Sequence, residues 1–143
     1  MKRNFSNKLT LFHIMAISIG LVYFWYGALK FFPGLSPAEG LAIDTINMLT
    51  FGLIPSSVSI ILLAIWETAV GIMLMFNIFK RFAIYLALVH ITFTFSPFFL
   101  FSDLTFTQLP FAFTLLGQYI FKNLVFVAAL FILFFENRRT VKV

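Results

Sequence analysis

The chain has 143 residues, of which 62% are hydrophobic and 10% charged, with a formal net charge of +5; soluble domains run at roughly 45–50% apolar and ~25% charged. This is the composition of an integral membrane protein, long enough for one compact domain. The absence of cysteine excludes disulfide exchange, thiolate nucleophiles and cysteine-ligated metal as activities of the chain alone, and no clustered basic–aromatic face points to nucleic acid.

Lys2, Arg3 and Lys8 precede an apolar run from Leu9 to about Phe32. A signal peptide has an apolar core of only ~7–15 residues, so this longer run reads as a retained transmembrane helix, the first of four. Ala16, Gly20 and Gly27 place small residues on one face for close packing. Tyr23, Trp25 and Tyr26 gather toward the far end, where an aromatic belt is expected.

Phe32-Pro33-Gly34 ends this helix. Ser36-Pro37-Ala38-Glu39 then reads as a helix start, with Ser36 as N-cap and Glu39 completing a capping box. The helix it opens, about 37–51, is too short and polar to span. Its apolar face, Ala42, Ile46 and Leu49, suits an interfacial or partly re-entrant position. Gly52 and Pro55 mark its stop.

The second spanning helix covers about 56–79 and a short basic turn with Lys80 and Arg81 follows it. The third covers about 82–97, ending or kinking at Pro97. Phe98 to Pro110 reads as an irregular interfacial loop. The fourth spans about 115–135, before a tail with Arg138, Arg139 and Lys142. The expected fold class is therefore an all-α integral membrane four-helix bundle, a single domain over 1–143, with one short interfacial helix.

Eight of the ten Lys and Arg residues fall in the two tails and the basic turn, while Glu39, Asp44 and Asp103 occupy the opposite loops. The positive-inside rule then places both termini in the cytoplasm. The same rule accounts for most of the net charge, which needs no acidic partner other than anionic lipid.

Apart from Glu136 at the end of the fourth helix, removing the topology charges leaves Lys30, Glu67 and Lys122. Glu67 lies near the middle of the apolar run Val58–Phe79. A carboxylate at that depth costs roughly 2.5–3.5 kcal/mol on insertion scales, so it calls for a partner or a water-filled cavity. At ~1.5 Å per residue, Glu67 lies ~16 Å below its helix start, Lys122 ~10 Å below its own, and Lys30 only ~3 Å inside its helix end. Those depths pair Glu67 with Lys122 and leave Lys30 near the headgroups.

Polar neighbours extend the set. Tyr26 precedes Lys30 by one turn, Gln118 and Asn123 flank Lys122, and Trp66 beside Glu67 could wall a pocket. His90 lies near the middle of the third helix, with Thr94 one turn above. The candidate ligand-binding residues are thus Tyr26, Lys30, Trp66, Glu67, His90, Gln118, Lys122 and Asn123. No metal set is expected. A haem shared by His13 and His90 is disfavoured by a depth difference of ~6 Å.

Three stretches carry a family resemblance: Gly20-Leu21-Val22-Tyr23-Phe24-Trp25-Tyr26-Gly27-Ala28-Leu29-Lys30-Phe31, Trp66-Glu67-Thr68-Ala69-Val70-Gly71 and Gly117-Gln118-Tyr119-Ile120-Phe121-Lys122-Asn123-Leu124. They resemble the first-helix signature, second-helix Glu-x-x-x-Gly pattern and last-helix motif of the DoxX and DoxX-like membrane proteins. The resemblance implies a small four-helix protein of the bacterial inner membrane. It also implies association with an oxidoreductase partner, since the family name comes from a quinone-reducing, thiosulfate-oxidising complex. No flavin, haem or cluster motif is recognisable, so any electrons would be carried by a quinone or by the partner.

Two functions follow as expectations, and no catalytic residue is assigned in either. The first is a membrane subunit that binds a small lipophilic or quinone-like ligand in an outward-facing polar pocket, with Lys122 and Lys30 holding a carbonyl or anionic group. The second is a non-enzymatic scaffold or assembly factor in which a Glu67–Lys122 pair is structural. Either fits a homo-oligomer. A proton-coupled transporter using Glu67 and His90 is disfavoured by the lack of an inverted repeat.

Overall fold

The computed structural model describes the backbone of residues 2–140 and the side chains of residues 10–136. The side chains of the basic tails, Lys2, Arg3 and Lys8 at one end and Arg138, Arg139 and Lys142 at the other, lie outside the described residues. The chain forms α1 (Lys2–Leu29), α2 (Glu39–Leu49), α3 (Ser56–Met75) and α4 (Lys80–Phe93). Two short turns, α5 (Pro97–Leu100) and α6 (Ser102–Thr105), lead into a hairpin of β1 (Phe106–Gln108) and β2 (Ala112–Phe113), then α7 (Leu115–Phe121) and α8 (Asn123–Thr140).

Among the described residues four segments are long and apolar enough to cross a membrane: Thr10–Leu29, Ser56–Met75, Lys80–Leu100 and Leu115–Glu136. Their exposed side chains are largely Leu, Ile, Val and Phe. Such a surface is stable against lipid tails and not against water.

The tightest contact joins α1 to α3. Gly27 lies against Thr68 and Glu67, and Gly20 against Gly71 and Met75. A Cβ on Gly27 would stand 2.6 Å from the Thr68 nitrogen and 2.8 Å from the Glu67 Cβ, so backbone contact here depends on missing side chains. α4 and α8 close the bundle, and Ile19, Val70, Leu74, Ile84, Ala87, Leu130 and Leu133 form its core.

Several boundaries differ from the sequence expectation. Ser36 does not cap α2: the N-cap is Ala38 and no side chain caps it. The Glu39 carboxylate instead accepts the Gly34 N–H at 2.8 Å, tying the helix to the preceding turn. α2 ends through Phe51 (φ 53°) and Gly52 (φ 72°). The Gly52 N–H reaches back to the Asn47 carbonyl at 2.8 Å, the Schellman arrangement, with Phe51 at the left-handed position usually held by glycine.

α4 stops four residues before Pro97, because proline brings no N–H for the Phe93 carbonyl. The Ser96 N–H and hydroxyl serve that carbonyl instead, at 3.1 and 2.7 Å. The expected irregular loop also holds more order than predicted. Phe98, Phe106, Phe113 and Phe121 form a run of ring contacts 5.0–5.4 Å apart that carries the hairpin. Phe98, Phe106 and Phe113 are half-buried in this run, and Phe121 closes it from the more exposed side.

Candidate functional site

The register that sets Gly20 against Met75 and Gly27 against Thr68 brings the end of α1 level with Trp66. α3 therefore continues beyond α1 from Ile65 back to Ser56, roughly 15 Å at ~1.5 Å per residue. The space above the end of α1 is roofed by α2. Beneath it lies a cavity of about 200 Å³, walled by α1, α3, α4 and the α7–α8 junction. The predicted apolar face of α2, Ala42, Ile46 and Leu49, lines this cavity. The side of the helix expected to take an interfacial or partly re-entrant position thus lines a chamber.

Glu67 sits at the cavity floor with 6% of its surface exposed. Its Oε2 is 2.6 Å from the Lys30 Nζ, and its Oε1 is 3.2 Å from the His90 Nε2. Lys30, 8% exposed, also donates to the Tyr26 carbonyl at 3.3 Å. That bond shows its stem running back along α1, toward the helix N-terminus, as helical side chains do. The His90 Nδ1 is 3.3 Å from the Tyr23 hydroxyl, which donates to the Ala87 carbonyl at 3.0 Å. Lys30, Glu67 and Tyr23, all buried, and the half-buried His90 thus form one continuous polar chain across α1, α3 and α4.

The expected Glu67–Lys122 pair does not form. The depth argument treated all helix ends as level, whereas α3 overshoots α1 and brings Glu67 down to Lys30. Lys122 falls at the break between α7 and α8 and is exposed. Its Nζ lies 3.8 Å from the Tyr119 ring centroid and 5.4 Å from that of Tyr26. Exposed contacts of this kind contribute about 0.5–1 kcal/mol. Lys122→Met, which keeps most of the stem, is therefore expected to lower stability by no more than about 1 kcal/mol in an SDS unfolding titration. Damage as large as that of Lys30→Met would contradict the exposed placement.

Of the eight predicted site residues, Tyr26, Lys30, Glu67, His90 and Asn123 line the cavity, and Trp66, Gln118 and Lys122 do not. Trp66 is 39% exposed and Gln118 faces outward. The Asn123 Nδ2 donates to the Thr94 hydroxyl at 3.0 Å, joining α8 to α4. Tyr23 and Tyr119 are also wall residues, and the sequence reading assigned them no ligand role. The signal for Tyr23 was its place two turns before Lys30, on the face that carries Gly27.

Comparison with family models, with curated proteins and with solved structures returns no match. The functional reading therefore rests on the chamber itself.

Proposed function

We propose that this chain is a DoxX-like multi-pass protein of the bacterial inner membrane, both termini cytoplasmic, whose cavity opens toward the outer side and binds a small lipophilic or quinone-like ligand. In this reading it serves an oxidoreductase partner as a ligand-binding membrane subunit. The observation that carries the proposal is an apolar chamber with a few convergent polar groups at one end, the usual form of a small-molecule site. An apolar cavity of about 150 Å³ holds a benzene ring, so about 200 Å³ suits a one- or two-ring head group. Lys30 takes the role of carbonyl or anion donor that the sequence assigned jointly to Lys122. Glu67 orients Lys30, and His90 lies within reach as a proton partner.

One observation favours a structural role instead. The 2.6 Å Lys30–Glu67 contact ties α1 to α3, as a scaffold would require. Photolabelling separates the two. Protein in phosphatidylcholine nanodiscs is irradiated with a short-tailed azidoquinone, and adducts are mapped by mass spectrometry. Labelling is expected around Tyr23–Tyr26, His90–Thr94 and Tyr119–Asn123, and it should be competed at least tenfold by unlabelled quinone. Uncompeted labelling spread over lipid-facing positions such as Trp25, Phe82 and Phe131 would defeat the ligand reading and leave the scaffold.

A further inference from the structure

The walls of the chamber are not equally closed. α1 and α3 are joined where Gly27 meets Thr68 and again by the Lys30–Glu67 contact. α4 and α8 are joined by the Asn123–Thr94 hydrogen bond. Between α1 and α7 the rings of Tyr26 and Tyr119 meet edge to face, 5.9 Å apart, with the Lys122 ammonium over both. α3 and α4 are tied at the cavity floor by Glu67 and His90. Above that tie the wall passes to Leu63 on α3 and Phe93 on α4, both apolar.

Among the described residues that line the chamber, only Leu49 and Phe93 are exposed, at 41% and 56%. Leu49 ends α2, which the Asn47–Ser56 hydrogen bond holds beside the first turn of α3. Phe93 ends α4 and lies inside the apolar span Lys80–Leu100. The opening is therefore at the outer ends of α3 and α4, beneath the end of α2. The outer half of α3 exposes Val58, Ile61, Leu62 and Ile65, a rim suited to acyl chains and not to water. The roof is the closed side. Its polar wall residues Ser36 and Thr45 are buried, and Thr45 turns its hydroxyl back to the Leu41 carbonyl.

Size then selects the ligand. An apolar cavity of about 150 Å³ holds a benzene ring, so a ring head nearly fills a chamber of about 200 Å³ and a long tail must lie outside it. Each methylene favours an apolar medium over water about fourfold, so a ten-carbon tail resists a path through water by about a millionfold. We propose that the ligand is a membrane-dissolved amphiphile with a compact ring head and one hydrocarbon tail. It is taken from the outer leaflet, and its tail runs out between α3 and α4 past Leu49 and Phe93. This rests on the cavity being a ligand site, and it adds the ligand's tail and the path of that tail.

The chain has no cysteine, so a single substitution creates a unique thiol at the opening. The test uses the full chain in nonionic detergent and two radiolabelled quinones of the same ring, one with a decyl tail and one with a methyl group in its place. Phe93→Cys is modified with N-benzylmaleimide. The adduct displaces two or more methylenes from the opening, at about fourfold each, so it should weaken the decyl quinone at least tenfold and leave the methyl quinone unchanged. Leu49→Cys repeats the test with a second plug. The control is the same adduct on Phe82→Cys, since Phe82 is equally exposed on α4 near its other end, and it should affect neither quinone. A second control ties the roof to α3 by a disulfide between Asn47→Cys and Ser56→Cys, whose native side chains meet at 3.2 Å, and it too should leave both quinones bound as before. Undiminished binding of the decyl quinone behind both plugs, equal weakening of the two quinones, or weakening by the roof tie would overturn the tail path while leaving the cavity a ligand site. No saturable binding of either quinone by the unmodified wild type would overturn the ligand reading itself.

Discussion

Glu67→Ala is expected to destabilise the protein by about 3–5 kcal/mol, the usual result of removing one partner from a buried ion pair. Two groups lose their counterpart at once. Lys30 is left as a buried ammonium, and the His90 Nε2 loses its Glu67 oxygen. Neither can easily move to solvent, since Lys30 is held under α2 and His90 is fixed through Tyr23 to the Ala87 carbonyl. The measurement is an SDS unfolding titration followed by circular dichroism.

A second arm asks whether the pair or the isolated charges set the loss. Replacing a whole buried pair with neutral groups of similar size is often close to neutral in stability. Lys30→Met with Glu67→Gln should therefore recover most of what either single change loses, a coupling of about 2 kcal/mol or more in the double-mutant cycle. Additive losses would mean that Lys30 and Glu67 do not meet in the folded protein. Recovery of stability together with loss of photolabelling would assign the pair to the ligand. Recovery with labelling unchanged would make it a helix tie alone.

The four apolar spans were legible because hydropathy over some twenty residues is a property of composition, which tertiary contacts do not alter. The apolar face of α2 was legible for a similar reason: Ala42, Ile46 and Leu49 follow helical spacing. What that face covers was not, because spacing does not say whether lipid or a chamber lies opposite. Glu67 stood out as an expensive residue, yet its partner depended on the relative height of α1 and α3. That height is set by which glycines meet which backbone atoms, a matter of three-dimensional register. Tyr23 was masked by its aromatic neighbours, Trp25 and Tyr26, which read together as a belt. The hairpin was illegible because its strands are three and two residues long, and ring contacts made across the chain support it.

The same register predicts that Gly71→Ala will lower stability by about 2–3 kcal/mol, near the upper end for overpacking. The added methyl would collide with the Phe24 backbone and stand 2.7 Å from the Gly20 carbonyl oxygen. Neither is a flexible side chain that could swing aside, so α1 must move away from α3. In a membrane, where lipid tails supply no hydrophobic drive for helices to associate, that close approach is itself a main source of cohesion. The movement also pulls Lys30 from Glu67, which makes Gly71→Ala and Lys30→Met interact instead of adding. Gly40→Ala supplies the control. It lies within α2 with nothing within 4 Å of the new methyl, so reduced backbone freedom in the unfolded chain should stabilise it by about 0.4–1 kcal/mol. Equal stability of the two alanine variants would show that α1 and α3 do not meet through Gly71, and with that contact would go the level placement that brings Lys30 to Glu67.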